Sequence, residues 1–406
     1  MNQNKHHITP LLAKGLSTAV FLLMLLVAKG VGAQPHYSEV LRHAEAHNPT
    51  LLAAAKHAEA ERSAAHLGAL LPDPEVEAAY FLSNPADLGV RWDLNFSQSF
   101  EMPSVLVRRA RLRNLQGHAA ELSYEIVRRN VLMEVQQLCA DWIYYHAMLQ
   151  IYARRTETAT HLAELYNRRF EAGDCSVLEF NRAQMYLADM QNQASEAWQK
   201  EDHCTHDLRT IVGDDAYTFF KEEYDPIVVS STFEQWYEQM EMRNPSLRQL
   251  ENQIAIGRQQ TQLSRASWLP SMSVGYASEN RVGETFQGVK VGLTLPIWSQ
   301  QRAVRTAQLE TEAASQELEA QRTVLYNKLS CMFHRHEALL QNVQKLKAMF
   351  QRYNSLEYLE RALEAGEINL EQYLQQSDFY HEMELKIWST AHELEQIHLY
   401  LYSIEL

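Results

Sequence analysis

The sequence predicts a mainly α-helical fold with a smaller β part, built as two tandem copies of one helix–β-hairpin–long helix–helix unit. Three observations carry that expectation. Glycine and proline are scarce, 14 and 11 in 406 residues, which disfavours a turn-rich all-β chain and suits long helices. Four short stretches, in two pairs, alternate apolar and polar residues with period two. Finally, a set of landmarks recurs in the same order, the last of them 193 residues apart (Gly173 and Gly366).

The chain opens on Lys5 and Lys14, followed by thirteen apolar or small residues from Leu16 to Ala28 and by Val31-Gly32-Ala33. This is the pattern of a secretory signal peptide over 1–33, cleaved after Ala33, and too short for a spanning helix. No Cys follows the apolar run directly, so an N-terminal lipid anchor is not expected. Formal charge is −14, and removal of 1–33 takes away three Lys and no acid, giving −17. Without a basic surplus, a nucleic-acid partner is not expected.

The first repeat is expected over 34–225. Asn48-Pro49 starts a helix that ends at Leu71-Pro72, and a hairpin follows at about 73–101. In it Val76, Ala78, Tyr80 and Leu82 form one alternating set, and Trp92, Leu94, Phe96 and Phe100 form another, with Arg91, Asp93, Asn95, Ser97 and Ser99 on the opposite face. The stretch 83–89 reads as the turn. A helical hairpin is expected over about 102–212, with a first helix from Met102 to about Arg169 that steps Leu115, Ala119, Leu122, Ile126. Gly213–Thr232 is a mixed linker without period.

The second repeat, 226–406, follows the same order. Asn244-Pro245 opens a helix ending at Leu269-Pro270, and a hairpin at about 271–298 carries Met272, Val274 and Tyr276, then Val289, Val291, Leu293, Leu295 and Ile297. The helical hairpin spans about 301–403. Its first helix, Arg302 to about Leu363, has neither Gly nor Pro and is expected to be continuous. Tyr373, Tyr380, Ile387 and Leu394, with Ala391, mark a packing seam on the last helix.

Strands of nine to eleven residues with one apolar and one polar face suit a transmembrane β-sheet. Two hairpins give four strands, too few to close a barrel, and an open sheet edge is not tolerated in lipid. Three chains would supply twelve. The helical parts would then continue outside the membrane as a hollow cylinder.

These features resemble the TolC family of outer-membrane channel proteins. The resemblance covers about 34–406. It rests on the paired Asn-Pro starts, on the Leu-Pro entries to each hairpin, and on two tip motifs, Arg168 to Leu178 (RRFEAGDCSVL) and Arg361 to Leu370 (RALEAGEINL). It implies a homotrimer with a 12-stranded β-barrel in the outer membrane, continuous with a periplasmic α-helical barrel. The implied function is a passive duct for efflux or export, docked to a periplasmic adaptor protein and an inner-membrane efflux pump. Besides those partners, outer-membrane lipid is expected, and no cofactor.

By the same resemblance the tips hold the candidate sites. Adaptor docking falls to Arg168, Gly173, Val177, Leu178, Arg361, Gly366 and Leu370. The pore entrance falls to Glu179, Arg182, Glu364, Glu367, Glu371, Gln372 and Gln375. Relatives often carry acids at the sixth and ninth positions after the second tip glycine, where this chain has Gln372 and Gln375. An aspartate ring there is therefore absent, and the Glu cluster would instead make the mouth negative. Gly at each tip has a physical reason, because a helix that stops and reverses needs the left-handed conformation.

Other chemistry is sparse. His203, Cys204 and His206 form a weak candidate metal site, with Asp207 within a helical turn. His334 and His336 do not share a helix face. Four reduced thiols are the default expectation. Cys139 and Cys204 lie at similar heights on the first helical hairpin, so a disulfide is conceivable as the alternative, whereas Cys175 is too far from the others and Cys331 has no partner in its own hairpin. Tyr80, Phe81, Trp92, Phe96, Tyr276 and Trp298 fall at the hairpins, as interfacial aromatics or strand packing. No nucleotide-binding loop, nucleophile elbow or metalloprotease motif occurs, so no enzyme is expected. The alternative to a duct is a periplasmic structural coiled-coil protein, which leaves four amphipathic strands without a purpose.

Overall fold

The computed structural model describes residues 37–67, 72–82, 89–227, 232–281, 283–296 and 300–406. The signal peptide expected at 1–33, Leu71, most of the first hairpin turn, Ile297 and Trp298 lie outside the described residues. In the first repeat the elements are α1 (Ser38–His47), α2 (Pro49–Leu67), β1 (Glu75–Leu82), β2 (Val90–Phe100), α3 (Pro103–Ala172) and α4 (Val177–Val212). The second repeat supplies α5 (Phe233–Arg243), α6 (Pro245–Ala266), β3 (Ser271–Arg281), β4 (Glu284–Thr294), α7 (Gln300–Tyr353), α8 (Leu356–Glu364) and α9 (Leu370–Tyr402), closed by a 3₁₀ turn.

The strands form one antiparallel sheet in the order β1-β2-β3-β4. Its register puts the four alternating sets on one face: Val76 opposes Phe96, Phe96 opposes Tyr276, and Tyr276 opposes Val289. Near the helical end Phe100, Met272 and Leu293 line up in the same way. All of these side chains are exposed on the single chain. The other face carries Asn95, Ser97 and Ser99 beside Ser273 and Gly275. A sheet whose greasy face is bare and whose polar face is also open has no protein core on either side, which is unlike a soluble antiparallel sheet.

Helix α3 is 70 residues long, about 105 Å at 1.5 Å per residue. Pro103 sits in its first turn, where a missing N–H costs nothing. α3 packs along α2, α4, α6 and α9, and α7 packs along α6 and α9. Among the described residues six apolar clusters hold the bundle, and three of them position the functional parts. Val135, Cys139, Ile143, Cys204 and Leu208 join α1, α3 and α4 in the first. Phe233, Trp236, Phe333 and Leu401 join α5, α7 and α9 in the second. A third lies under the tips.

One expectation is corrected. The second long helix is not continuous from Arg302 to Leu363: it ends at Tyr353 and restarts at Leu356. Ser355 leaves helical geometry, and Asn354 Oδ1 accepts the Leu356 N–H, a local bond that competes with the helical one. Cys139 and Cys204 share one core and are free thiols.

Candidate functional site at the helical tips

Both helical hairpins reverse by the same device. At the first tip Gly173 has φ 78°, its N–H donates to Phe170 O at 3.1 Å, and Asp174 N–H donates to Arg169 O at 2.8 Å. At the second, Gly366 has φ 75°, with Gly366 N–H on Leu363 O at 3.1 Å and Glu367 N–H on Ala362 O at 2.9 Å. These are two Schellman closures, which satisfy carbonyls that the helix ends leave open. Each return helix then starts with a capping box. Ser176 Oγ accepts from Glu179 N, and Ser176 N donates to Glu179 Oε2 at 2.9 Å. Asn369 Oδ1 accepts from Gln372 N at 2.8 Å, and Asn369 N donates to Gln372 Oε1 at 3.1 Å.

Glu179 and Gln372 are therefore spoken for by helix capping. The two bonds from Ser176 hold the Glu179 carboxyl below its ordinary range. Arg182, one turn further, reaches across to the second tip and pairs with Glu371 at 3.2 Å. Glu364, Glu367 and Gln375 are exposed.

The tips share one apolar core of Leu162, Tyr166, Ala183, Leu363, Leu370, Tyr373 and Leu374. Leu370 is 1% exposed, so its expected docking role is corrected: it packs the tip from within. Its counterpart Val177 is 53% exposed, and Leu178 beside it 76%. Arg168 and Arg361 are exposed, the latter near Glu357 at 3.9 Å. Phe170 and Phe180 stack at 4.9 Å across the first tip.

Behind the tips two ion pairs, not anticipated from the sequence, tie the repeats together. Arg155 on α3, almost buried, donates to Asp378 on α9 at 2.7 Å, and Arg154 donates to Glu384 at 2.9 Å. Partners more than two hundred residues apart leave no local signal. The one available hint is Arg154-Arg155 in the middle of an otherwise apolar seam.

The weak metal site does not assemble. Cys204 turns into the core, while His203 pairs with Asp207 at 3.6 Å and His206 with Asp202 at 3.8 Å on the exposed side. Among the described residues no three His, Cys, Asp or Glu side chains converge on a metal-sized site. His336, set aside because it does not face His334, is buried against His398 of α9, with Nε2···Nδ1 at 3.1 Å. Burial pushes the His398 imidazole down to about 4 and lowers His336 too. Near the middle of the bundle Glu395 is buried as well. Desolvation raises its carboxyl to about 7, and the Tyr37 hydroxyl donates to it at 3.1 Å.

No protein-family model and no curated protein matches the sequence. The structure does match solved structures over most of its length. It is similar to the CmeC outer membrane channel of Campylobacter jejuni, with a TM-score of 0.76 at 16% identity, covering 91% of this chain and 85% of that one. It is similar to the MtrE outer membrane channel of Neisseria gonorrhoeae in its open state, with a TM-score of 0.75 at 13% identity over 91% and 89% of the two chains. The outer membrane protein VceC of Vibrio cholerae gives 0.70 at 13% identity, over 91% and 95%. The chain has a TolC-like fold: a mainly helical body joined to a small antiparallel sheet.

Proposed function

We propose that this chain forms one third of a trimeric outer-membrane duct of a tripartite efflux or export system. The observation that carries the proposal is the sheet, which has four antiparallel strands, two unpaired edges and a bare apolar face, and runs straight into the 70-residue helix α3. In lipid both edges must be satisfied. Because the strand number is even, β4 runs opposite to β1, so β4 of one copy can pair antiparallel with β1 of the next. Three copies give the twelve strands of a closed barrel. The polar face then lines a wet bore, and the helices prolong it into the periplasm. No helix among the described residues is long and apolar enough to cross a membrane.

The duct is passive, and an inner-membrane pump supplies the energy. The exposed first tip, with Arg168, Val177 and Leu178, is the surface offered to a periplasmic adaptor. Arg182 with Glu371, and Arg155 with Asp378, hold the two tips of one chain together and so set the width of the entrance.

The purified chain, solubilised in detergent and added to planar bilayers, tests this. We expect a trimer that inserts and conducts ions. A protein that fractionates as a soluble monomer and leaves bilayers silent overturns the proposal.

A further inference from the structure

Charge in this acidic chain is distributed unevenly. Where the helices meet the sheet, three windows carry arginine and no acid at all: Arg108, Arg109, Arg111 and Arg113 within 103–114, Arg258 and Arg265 within 255–268, and Arg302 and Arg305 within 300–309. That is eight positive charges per chain, against Asp73, Glu75 and Glu101 at the same end of the sheet, in a protein whose net charge is −14. The windows lie at one level. Phe100, Met272 and Leu293 align across the same end of the sheet, and Gln259 of α6 donates to Arg108 O of α3 at 3.0 Å.

α3 and α7 begin here, and neither has an acid in its first turn. Of the eight arginines only Arg302 falls inside such a first turn, and Arg265 sits in the last turn of α6, so helix dipoles do not account for the cluster. Internal ion pairing does not account for it either. Arg109 binds Glu101 at 2.6 Å, but Arg111, Arg258, Arg265, Arg302 and Arg305 are exposed and have no acidic partner among the described residues. Exposed apolar side chains sit among them: Trp268, Leu269 and Leu295, with Val107 on the first turns of α3. Apolar bodies and tryptophan between guanidinium heads fit a lipid–water boundary, and suit a water-filled bore poorly.

We infer that these arginines form a collar that binds the anionic headgroups of the phospholipid leaflet at the helical end of the barrel. The inference rests on reading the sheet as a membrane-spanning wall. Guanidinium forks match phosphate oxygens with paired hydrogen bonds, which favours lipids that expose phosphate without a covering cation. The collar fixes how far the sheet sinks into the bilayer, because the helices cannot follow until the headgroup contacts break.

Lipid retention by the full-length protein tests it. The chain is reconstituted in equal phosphatidylcholine and phosphatidylglycerol, re-extracted in mild detergent, and its bound lipid quantified. Each exposed arginine near a lipid surface is worth about fivefold in preference, reduced by screening, so retention of the anionic lipid by roughly tenfold is expected. At about 1 M salt, where the Debye length is about 3 Å, the preference should approach parity. The variant R111Q/R265Q/R302Q/R305Q removes only exposed side chains without acidic partners and should lower it to within about twofold of parity. Parity in the wild type at low salt, or an unchanged preference in the variant, overturns the collar. So does a variant whose lipid preference is intact but whose anion–cation selectivity has shifted, since those arginines would then face the bore. A protein that does not enter bilayers at all overturns the duct with it, whereas one that conducts without headgroup preference overturns the collar alone.

Discussion

At the scale of single residues, Leu370 and Leu178 separate packing from display. Leu370 is closed inside the tip core, and Leu370→Ala should cost about 2–4 kcal/mol of local stability, read as faster amide exchange across both tips. Leu178 is open to solvent, so Leu178→Ala should leave exchange and melting within about 0.5 kcal/mol of the parent, while weakening capture of the adaptor. Equal effects of the two substitutions on exchange would refute this division. Two buried titratable groups make a second case. His398 is held neutral in the fold, so its contribution is complete above about pH 6.5 and is lost as pH falls toward 4. Glu395 is the reverse: its carboxyl is raised to about 7, so its contribution is complete below its ordinary 4.5 and is lost as pH rises through 7. Between about 4.5 and 6.5 the two slopes oppose, and the melting temperature of the parent should be nearly flat with respect to these groups. Glu395→Gln uncovers the histidine, so its melting temperature should climb with pH from 4 to 6.5, and His398→Gln should give the opposite slope. Calorimetry across that range decides, and parallel profiles for the two variants would defeat the assignment.

At the scale of elements, the sheet was the most legible part of the sequence. Trp92, Leu94, Phe96 and the three other alternating sets fall on one face because period two leaves no freedom once the register is set. The face can be tested directly. Tyr276→Arg, on the apolar row near mid-sheet, should cost about 2–4 kcal/mol in the bilayer and deplete the protein from the outer membrane, whereas Ser97→Arg on the polar face should insert normally. Fractionation showing equal loss for both would mean the faces are misassigned. The tips were legible too, since Gly173 and Gly366 announce their own conformation and Ser176 and Asn369 carry capping signatures. The break in the second long helix was not. Asn354-Ser355 contains neither Gly nor Pro, and only the Asn354 side chain turning back on Leu356 N reveals it. The same holds for Leu370: its spacing matches exposed Val177, and burial depends on a neighbour from the other repeat. Pairs such as Arg155 with Asp378 between the repeats, and His336 with His398 inside the second, were out of reach because packing between segments distant in sequence decides them.

At the scale of the whole molecule, the consequence to draw concerns counting. A chain that adds an even number of alternating strands can close a ring in any number of copies, while an odd contribution closes only when the copies are even. Two hairpins in one chain therefore make threefold closure possible with every pairing of the same kind. Half of this chain, with one hairpin, would need six identical copies for the same bore. In such a ring every tip would be identical and each would have to carry both charges of every tie. With both halves in one chain that demand is absent: arginine sits in one repeat, at 155 and 182, and its acid in the other, at 378 and 371. In the proposed trimer the wall would alternate two kinds of stave, and only one kind, that carrying Val177 and Leu178, presents apolar side chains at the start of its return helix. An approaching partner would meet three greasy tips interleaved with three acidic ones, so it could seat in three orientations around the axis instead of six.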